Sequence, residues 1–167
     1  MKRGANASTS LFLMELIVVI CFFALVSVVC VRLFVAASVI NTRSVNIDHG
    51  ARIEESLAQV WTAYDGDLEA VAGTFPGAVC DARSKRSGDV TLYFNKDWLT
   101  ARTKEERVFC VTLTGMEATA REVFGEGADG SLAICASVTS RDLETGEVFH
   151  TIDTDHYIGL QAEGGEK

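Results

Sequence analysis

The side chains that could perform chemistry in this sequence are few, and their spacing keeps them apart. The three histidines are His49, His150 and His156, and the stretch IDTDHY adds Asp153 and Asp155. Side chains alternate between the two faces of a strand, so both aspartates would lie opposite His150 and His156. Such a split does not form a metal site, and we expect solvent-facing strand residues. Glycine-rich phosphate loops and the motifs G-x-S-x-G and H-E-x-x-H are absent from the sequence. The sequence therefore predicts neither an enzyme nor a bound cofactor or metal.

The five cysteines fall into two groups. Cys21 and Cys30 lie in an apolar segment, where cysteine behaves as a small apolar side chain. Cys80, Cys110 and Cys135 lie beyond it, so at most one disulfide can form among them, with its pairing open. Strand alternation places Cys110 and Cys135 opposite the apolar residues of their strands, where they could meet each other or Cys80. No C-x-x-C spacing is present, which argues against structural zinc.

One acidic residue, Glu15, interrupts an otherwise apolar segment. Leu11–Val31 has 21 residues, and Glu15 is its only charged side chain. About 20 helical residues cross the hydrocarbon core of a bilayer, so we predict a transmembrane helix over residues 11–37. A cleaved secretory signal fits less well, because the apolar core of such signals has only about 7–15 residues and this segment is longer. Lys2 and Arg3 precede the segment, which favours a cytoplasmic N-terminus and an extracytoplasmic C-terminal domain in a single-pass protein of the cell (inner or cytoplasmic) membrane.

The sequence around Glu15, LFLMELIVVICFFALVSVV, resembles the N-terminal segment of type IV pilins and type II secretion pseudopilins. In that family a short basic leader precedes a long apolar helix with a glutamate one turn inside its start. The resemblance implies a leader of residues 1–10, cleavage by a prepilin peptidase between Ser10 and Leu11, and methylation of the new Leu11 amine. It also implies that Glu15 pairs with that amine on an adjacent subunit. The family usually has glycine where this chain has Ser10, and the helix lacks proline, which favours a minor or divergent member.

Two functions are compatible with these features. The first is a structural, pseudopilin-like subunit of a type II secretion or type IV pilus-like system, which assembles through its apolar helix. Its partners would be membrane lipid, other pilin-like subunits and a prepilin peptidase. The alternative is an uncleaved single-pass membrane protein that presents a small extracytoplasmic binding domain. Glu15 would then be an incidental carboxylate that reaches back toward the lipid headgroups.

The chain beyond residue 37 is acidic. The whole sequence has 15 basic and 23 acidic residues, and subtracting Lys2, Arg3, Arg32 and Glu15 leaves 12 and 22. The resulting net charge of −10 repels nucleic acid, whose binding needs clustered lysine and arginine. We therefore expect no nucleic-acid partner.

An amphipathic helix is predicted to continue from the membrane segment over residues 38–66. Its apolar side chains recur with helical spacing at Ile53, Leu57, Val60, Trp61 and Tyr64. Gly50 weakens the middle of this helix without ending its periodicity, and Asp65-Gly66 provides the stop. We expect this half of the helix to cover a globular core.

The rest of the chain, residues 67–160, predicts a short helix over residues 67–75 and then antiparallel sheet. The alternating apolar residues that define strands are Val90, Leu92 and Phe94; Phe109, Val111 and Leu113; Leu132, Ile134, Ala136 and Val138; and the stretch Val148–Ile158. A basic loop at Ala82–Gly88 precedes them. About four strands in a meander, with a helix on one face, give the α+β class. We expect a disordered tail at residues 161–167.

Overall fold

The computed structural model describes residues 5–125 and 131–159, with side chains from residue 11 onward. It has the α+β class that the sequence predicts. The helices are α1 (Ala5–Ala63), α2 (Leu68–Thr74) and α3 (Ala120–Phe124), and the strands are β1 (Val79–Ala82), β2 (Gly88–Phe94), β3 (Phe109–Thr119), β4 (Leu132–Asp142) and β5 (Val148–Gly159). The chain divides into two compact units at the Ser44–Val45 bond. We call residues 45–159 the C-terminal domain. Residues 1–4 of the predicted leader and the whole predicted tail lie outside the described residues.

Helix α1 runs without a break from the apolar segment into the C-terminal domain. Its continuity follows from its sequence, because the only proline, Pro76, lies beyond it and no other residue removes a helical hydrogen bond. The helix ends at Ala63, three residues before the predicted limit. Gly66 provides the stop: its N–H donates to the Trp61 carbonyl at 2.9 Å and its φ is +79°. This left-handed conformation costs glycine little.

The short helix α2 follows directly, as predicted. The Asp67 carboxylate caps it by accepting a hydrogen bond from the Ala70 N–H at 3.2 Å, and Lys85 Nζ lies 3.3 Å from the other carboxylate oxygen. The hydrogen bond from Ala70, supported by the charge of Lys85, lowers the pKa of Asp67 below its ordinary value. Leu68 and Val71 then turn into the core.

The sheet is an antiparallel meander of five strands in the order β1-β2-β3-β4-β5, one more than expected. The additional strand, β1, lacks a sequence signature because its residues do not alternate in polarity and all four are exposed. It pairs with β2 from Val79↔Thr91 to Ala82↔Gly88. The loop expected at Ala82–Gly88 is therefore the turn of a hairpin, and its two end residues belong to the strands.

One face of the sheet packs against the part of α1 that lies in the C-terminal domain. The buried apolar side chains of this core are Leu57, Trp61, Leu68, Val71, Val90, Leu92, Phe94, Phe109, Val111, Leu113, Ile134, Ala136 and Val138. Of the predicted helical stripe, Leu57 and Trp61 are fully buried and Ile53 and Val60 are partly buried. Tyr64 is 48% exposed, because the helix has already ended. Burial of each large apolar side chain contributes roughly 1.5–3 kcal/mol.

Trp98 attaches the segment between β2 and β3 to this core. Its ring stacks on Phe109 with 4.6 Å between centroids and on His49 with 5.7 Å. Its Nε1–H donates to Asn46 Oδ1 at 3.1 Å. His49, one of the candidates for chemistry, lies on α1 and therefore packs against the Trp98 ring.

Candidate functional site

The apolar segment of α1 exposes its side chains around the whole helix. Every described residue from Leu11 to Ile40 is exposed, and Phe23 and Phe34 are 72% and 77% exposed. One helix among the described residues, over Leu11–Ala63, is long and apolar enough to cross a membrane, with a mean hydropathy of 2.9 in its best window. The 21 residues of Leu11–Val31 rise about 31 Å as a helix, which matches the hydrocarbon core of a bilayer.

Glu15 lies on this surface, one turn inside the start of the apolar segment. Residues three and four positions away share its side of the helix, and they are Leu11, Phe12, Val18 and Val19. All four are exposed and none carries a charge. Within the part of the chain that the structure describes, no cation lies at ion-pair distance from Glu15. If this segment spans a bilayer, an isolated carboxylate at this position costs up to a few kcal/mol and favours a place where a cation reaches it.

The bond between Ser10 and Leu11 lies within the helical backbone of α1, which begins at Ala5. Leu11 is 69% exposed, so its side chain is not held by packing within the described residues. Four residues separate Leu11 from Glu15, which places them on the same side of the helix and about 6 Å apart along its axis. An amine created at Leu11 would thus lie close to the level of the carboxylate.

A second group of polar side chains lies inside the C-terminal domain, at the contact of α1 with the sheet. Glu54 is fully buried, and its Oε2 forms a hydrogen bond of 2.6 Å with Nδ1 of His150 on β5. Its other oxygen, Oε1, has no hydrogen-bond partner among the described residues. Glu54 occupies the same helical face as Leu57 and Trp61, so its burial follows from the periodicity of α1. That spacing is the one sequence signal that could have revealed it.

Both histidines of β5 contact helix-side carboxylates and remain partly exposed, His150 with 42% and His156 with 29% of its side chain. His156 Nε2 lies 3.1 Å from Asp65 Oδ1, just beyond the end of α1. The prediction that His150 and His156 are solvent-facing strand residues is therefore correct for the strand and incomplete for the side chains, which also contact the helix side. The two do share one face of the strand, and Asp153 and Asp155 are exposed on the other, as the alternation indicates. The hydrogen-bond acceptors Glu54 and Asp65 on the helix side explain why these side chains lie on that face.

The Glu54–His150 pair is not part of a catalytic triad. Ser140 is the register partner of His150 on β4, but it is fully buried and its hydroxyl has no hydrogen-bond partner. A nucleophilic serine needs a hydrogen bond to its base and access to substrate, and Ser140 has neither. Among the described residues, no three potential metal ligands converge.

The three cysteines of the C-terminal domain are free and lie on three different strands. Cys110 pairs in register with Arg141, and Cys135 pairs with Met116. The two cysteines are therefore six residue positions out of register, or about 20 Å along the strands, whereas a disulfide needs α-carbons within about 7 Å. Cys80 lies two strands from Cys110 and three from Cys135. The disulfide that the cysteine count permits does not form within this fold.

No protein-family model, curated protein or solved structure matches this chain. What the fold and the apolar surface define is a class: an α+β protein with one N-terminal helix able to span a membrane.

Proposed function

We propose that this chain is a membrane-anchored, pseudopilin-like structural subunit that assembles with similar subunits through α1. The system would be of the type II secretion or type IV pilus type. The observation that carries the proposal is the apolar, fully exposed surface of Leu11–Ile40 with a single carboxylate, Glu15, near its start. In water such a surface would aggregate, and in lipid the carboxylate would lack a counter-ion.

Packing of helices in the membrane would supply apolar contacts and a counter-ion for Glu15, both of which the isolated subunit lacks. Neighbouring apolar helices would cover the exposed side chains by van der Waals contact, which replaces contact with lipid. A cation from a neighbour would neutralise Glu15 in a medium of low dielectric, where opposite charges attract strongly. Because Glu15 is the only acidic group of the segment, this pairing would fix the axial register between helices.

The cation we propose is the α-amine of Leu11, created by a prepilin peptidase that cleaves after Ser10 and then methylated. This amine also lies one turn from Glu15 of its own subunit. The same charges can therefore pair within a subunit before assembly and between subunits afterwards. The acidic C-terminal domain would lie on the extracytoplasmic side.

The test of assembly uses the two cysteines already present in the apolar segment. Cys21 and Cys30 are nine positions apart, which places them on opposite sides of the helix. Membrane-permeant oxidation in native membranes should cross-link subunits through them when α1 helices pack together. We expect Glu15→Gln to insert normally and to lower cross-linking by about tenfold, a loss of roughly 1.4 kcal/mol in pairing.

Matched variants separate charge from side-chain shape in this test. Glu15→Asp keeps the carboxylate and should retain most of the cross-linking. Ile17→Gln adds the same amide about 200° around the helix and controls for a polar group in the span. In all of these proteins, including the parent, the three cysteines of the C-terminal domain are replaced by serine. Equal cross-linking by the parent and Glu15→Gln would refute the docking role of the carboxylate.

Mass spectrometry of the protein from its native membrane distinguishes this function from the alternative. A chain that begins at N-methyl-Leu11 is expected for a pseudopilin-like subunit. A chain that begins at residue 1 or 2 would indicate the alternative, an uncleaved single-pass protein that presents a binding domain.

A further inference from the structure

Strand β5 forms a long edge of the sheet. It has twelve residues and is the last strand in the order, with β4 as its only neighbour among the described residues. In an antiparallel edge strand, alternate residues direct their N–H and C=O groups away from the sheet. These groups form a template for one further strand, and natural proteins usually protect such edges with proline, lysine or a bulge. β5 has neither lysine nor proline between Val148 and Gly159. Its two register shifts lie near its ends, at Phe149 and Ile158, and its pairing with β4 is regular from His150 to Tyr157.

A groove runs beside this edge, between β5 and α1. Its lining includes Ala58, Thr62 and Ala63 from the helix and Ile152 and Thr154 from the strand, and its volume is about 450 Å³. Ala58, Thr62 and Ala63 are small, so the groove is left open where longer side chains would fill it; Glu55 and Gln59 also line it. Its walls are mainly apolar carbon. A strand added to β5 would direct every second side chain into this space.

The charges around the groove have one sign. Glu55 lines it on the helix side and Asp153 on the strand side, and Asp155 lies two residues further along the same face of β5. The residues that line the groove include no lysine or arginine. An extended segment with basic side chains on the outer face of the sheet would therefore be attracted to this edge.

A second copy of the chain fits this edge poorly. Antiparallel pairing of two β5 strands about Thr154 would place Asp153 of each copy opposite Asp155 of the other. Like charges directly opposite each other in a sheet are destabilising. The chemistry at the edge thus favours a different partner over self-association.

We propose that the groove between α1 and β5 binds an extended, basic segment of a partner protein as a sixth strand. Small apolar side chains of that segment enter the groove beside Ala58 and Ile152, and basic side chains alternate with them opposite Asp153 and Asp155. The proposal rests on the C-terminal domain alone and does not depend on assembly through α1.

The test measures binding of a short, capped peptide of alternating valine and lysine to the full chain in phosphatidylcholine nanodiscs, a neutral lipid surface. Two further peptides have the same sequence but carry N-methyl groups on alternate residues, in one phase or the other. Strand addition uses the N–H groups of only one phase. We expect one methylated peptide to bind about as well as the parent and the other at least about tenfold more weakly.

Variants of the protein locate the binding. Ala63→Trp, at an exposed position on the groove, should weaken binding of the parent peptide at least about tenfold, and thermal unfolding checks that it remains folded. Asp153→Asn with Asp155→Asn should weaken binding several-fold at low salt and less at high salt. Three results would overturn the proposal: no binding of the parent peptide, equal binding of both methylated peptides, or dimers formed through β5.

Discussion

Glu54 and His150 place a hydrogen-bonded polar pair at an otherwise apolar contact between α1 and the sheet. A leucine at position 54 would pack beside Leu57 and Trp61, so the pair is not needed to fill the core. Replacing a buried pair with apolar residues is often neutral or stabilising, whereas removing one partner strands a buried charge. We therefore expect the pair to act mainly on specificity, by fixing which residue of β5 lies against which turn of α1.

We expect His150→Ala to lower the free energy of unfolding of the C-terminal domain by about 1–3 kcal/mol, because the fully buried Glu54 would lose its hydrogen-bond partner. Glu54→Gln keeps a side chain of the same size that can still form a hydrogen bond, and it should cost less, roughly 0.5–1.5 kcal/mol. The double variant should be more stable than the sum of the single losses predicts, since the two residues contact each other. Both tryptophans, Trp61 and Trp98, lie in this domain, so their fluorescence during urea unfolding of the full chain in detergent reports on it.

His156→Ala is the control for this cycle. Its partner Asp65 has a side chain that is 63% exposed, and exposed ion pairs contribute only about 0–1 kcal/mol. Equal losses for His150→Ala and His156→Ala would contradict the importance of burial at Glu54.

At the scale of the elements, Gly50 determines how closely α1 can approach β4. A Cβ atom at this position would lie 2.5 Å from Ser140 Oγ and 2.9 Å from Ser140 Cβ. Ser140 is fully buried, and although rotation of its side chain could move Oγ, its Cβ moves only with the backbone of β4. Gly50 lowers the helix propensity of this part of α1, but its lack of a side chain permits α1 to pack against the sheet.

Gly50→Ala should therefore destabilise the C-terminal domain by roughly 1–2 kcal/mol, although alanine is the better helix former. Gly73, in α2, is the matched control, because a Cβ there would meet nothing within 4 Å. Gly73→Ala should be neutral or stabilise by up to about 1 kcal/mol. Urea unfolding of both variants, followed by tryptophan fluorescence, compares the two. A stabilising Gly50→Ala would show that the helix and β4 can separate without cost.

Periodicity alone predicts most of these elements, because long segments with one buried face keep a regular apolar pattern. It predicts the stripe of Leu57 and Trp61 and the four strands with a buried face. It does not predict β1, whose residues are all exposed. Helical spacing places Glu54 on the buried face of α1, but it does not predict the partner His150, which lies almost a hundred residues later in the chain. Long-range pairing of this kind leaves no local trace in a sequence.

At the scale of the whole molecule, the chain combines an apolar helix with a domain that carries a net charge of −10. The apolar helix favours contact with lipid or with neighbouring helices, and the charged domain favours water. Lys2 and Arg3 favour retention of the N-terminus in the cytoplasm, so we expect the C-terminal domain on the opposite side of the membrane. The free cysteines make this orientation measurable without adding a label site.

Cys80 should be the thiol that a membrane-impermeant maleimide modifies on cells with a sealed plasma membrane. It is exposed, whereas Cys110 is buried. Burial and a hydrogen bond with Asp155 raise the pKa of Cys135 to about 11, so at pH 8 only about one in a thousand of its thiols is reactive. Burial also raises the pKa of Cys80, so labelling should be slow but measurable. We expect Cys80→Ser to remove most of the label; labelling of Cys80 only after permeabilisation would place the domain in the cytoplasm instead.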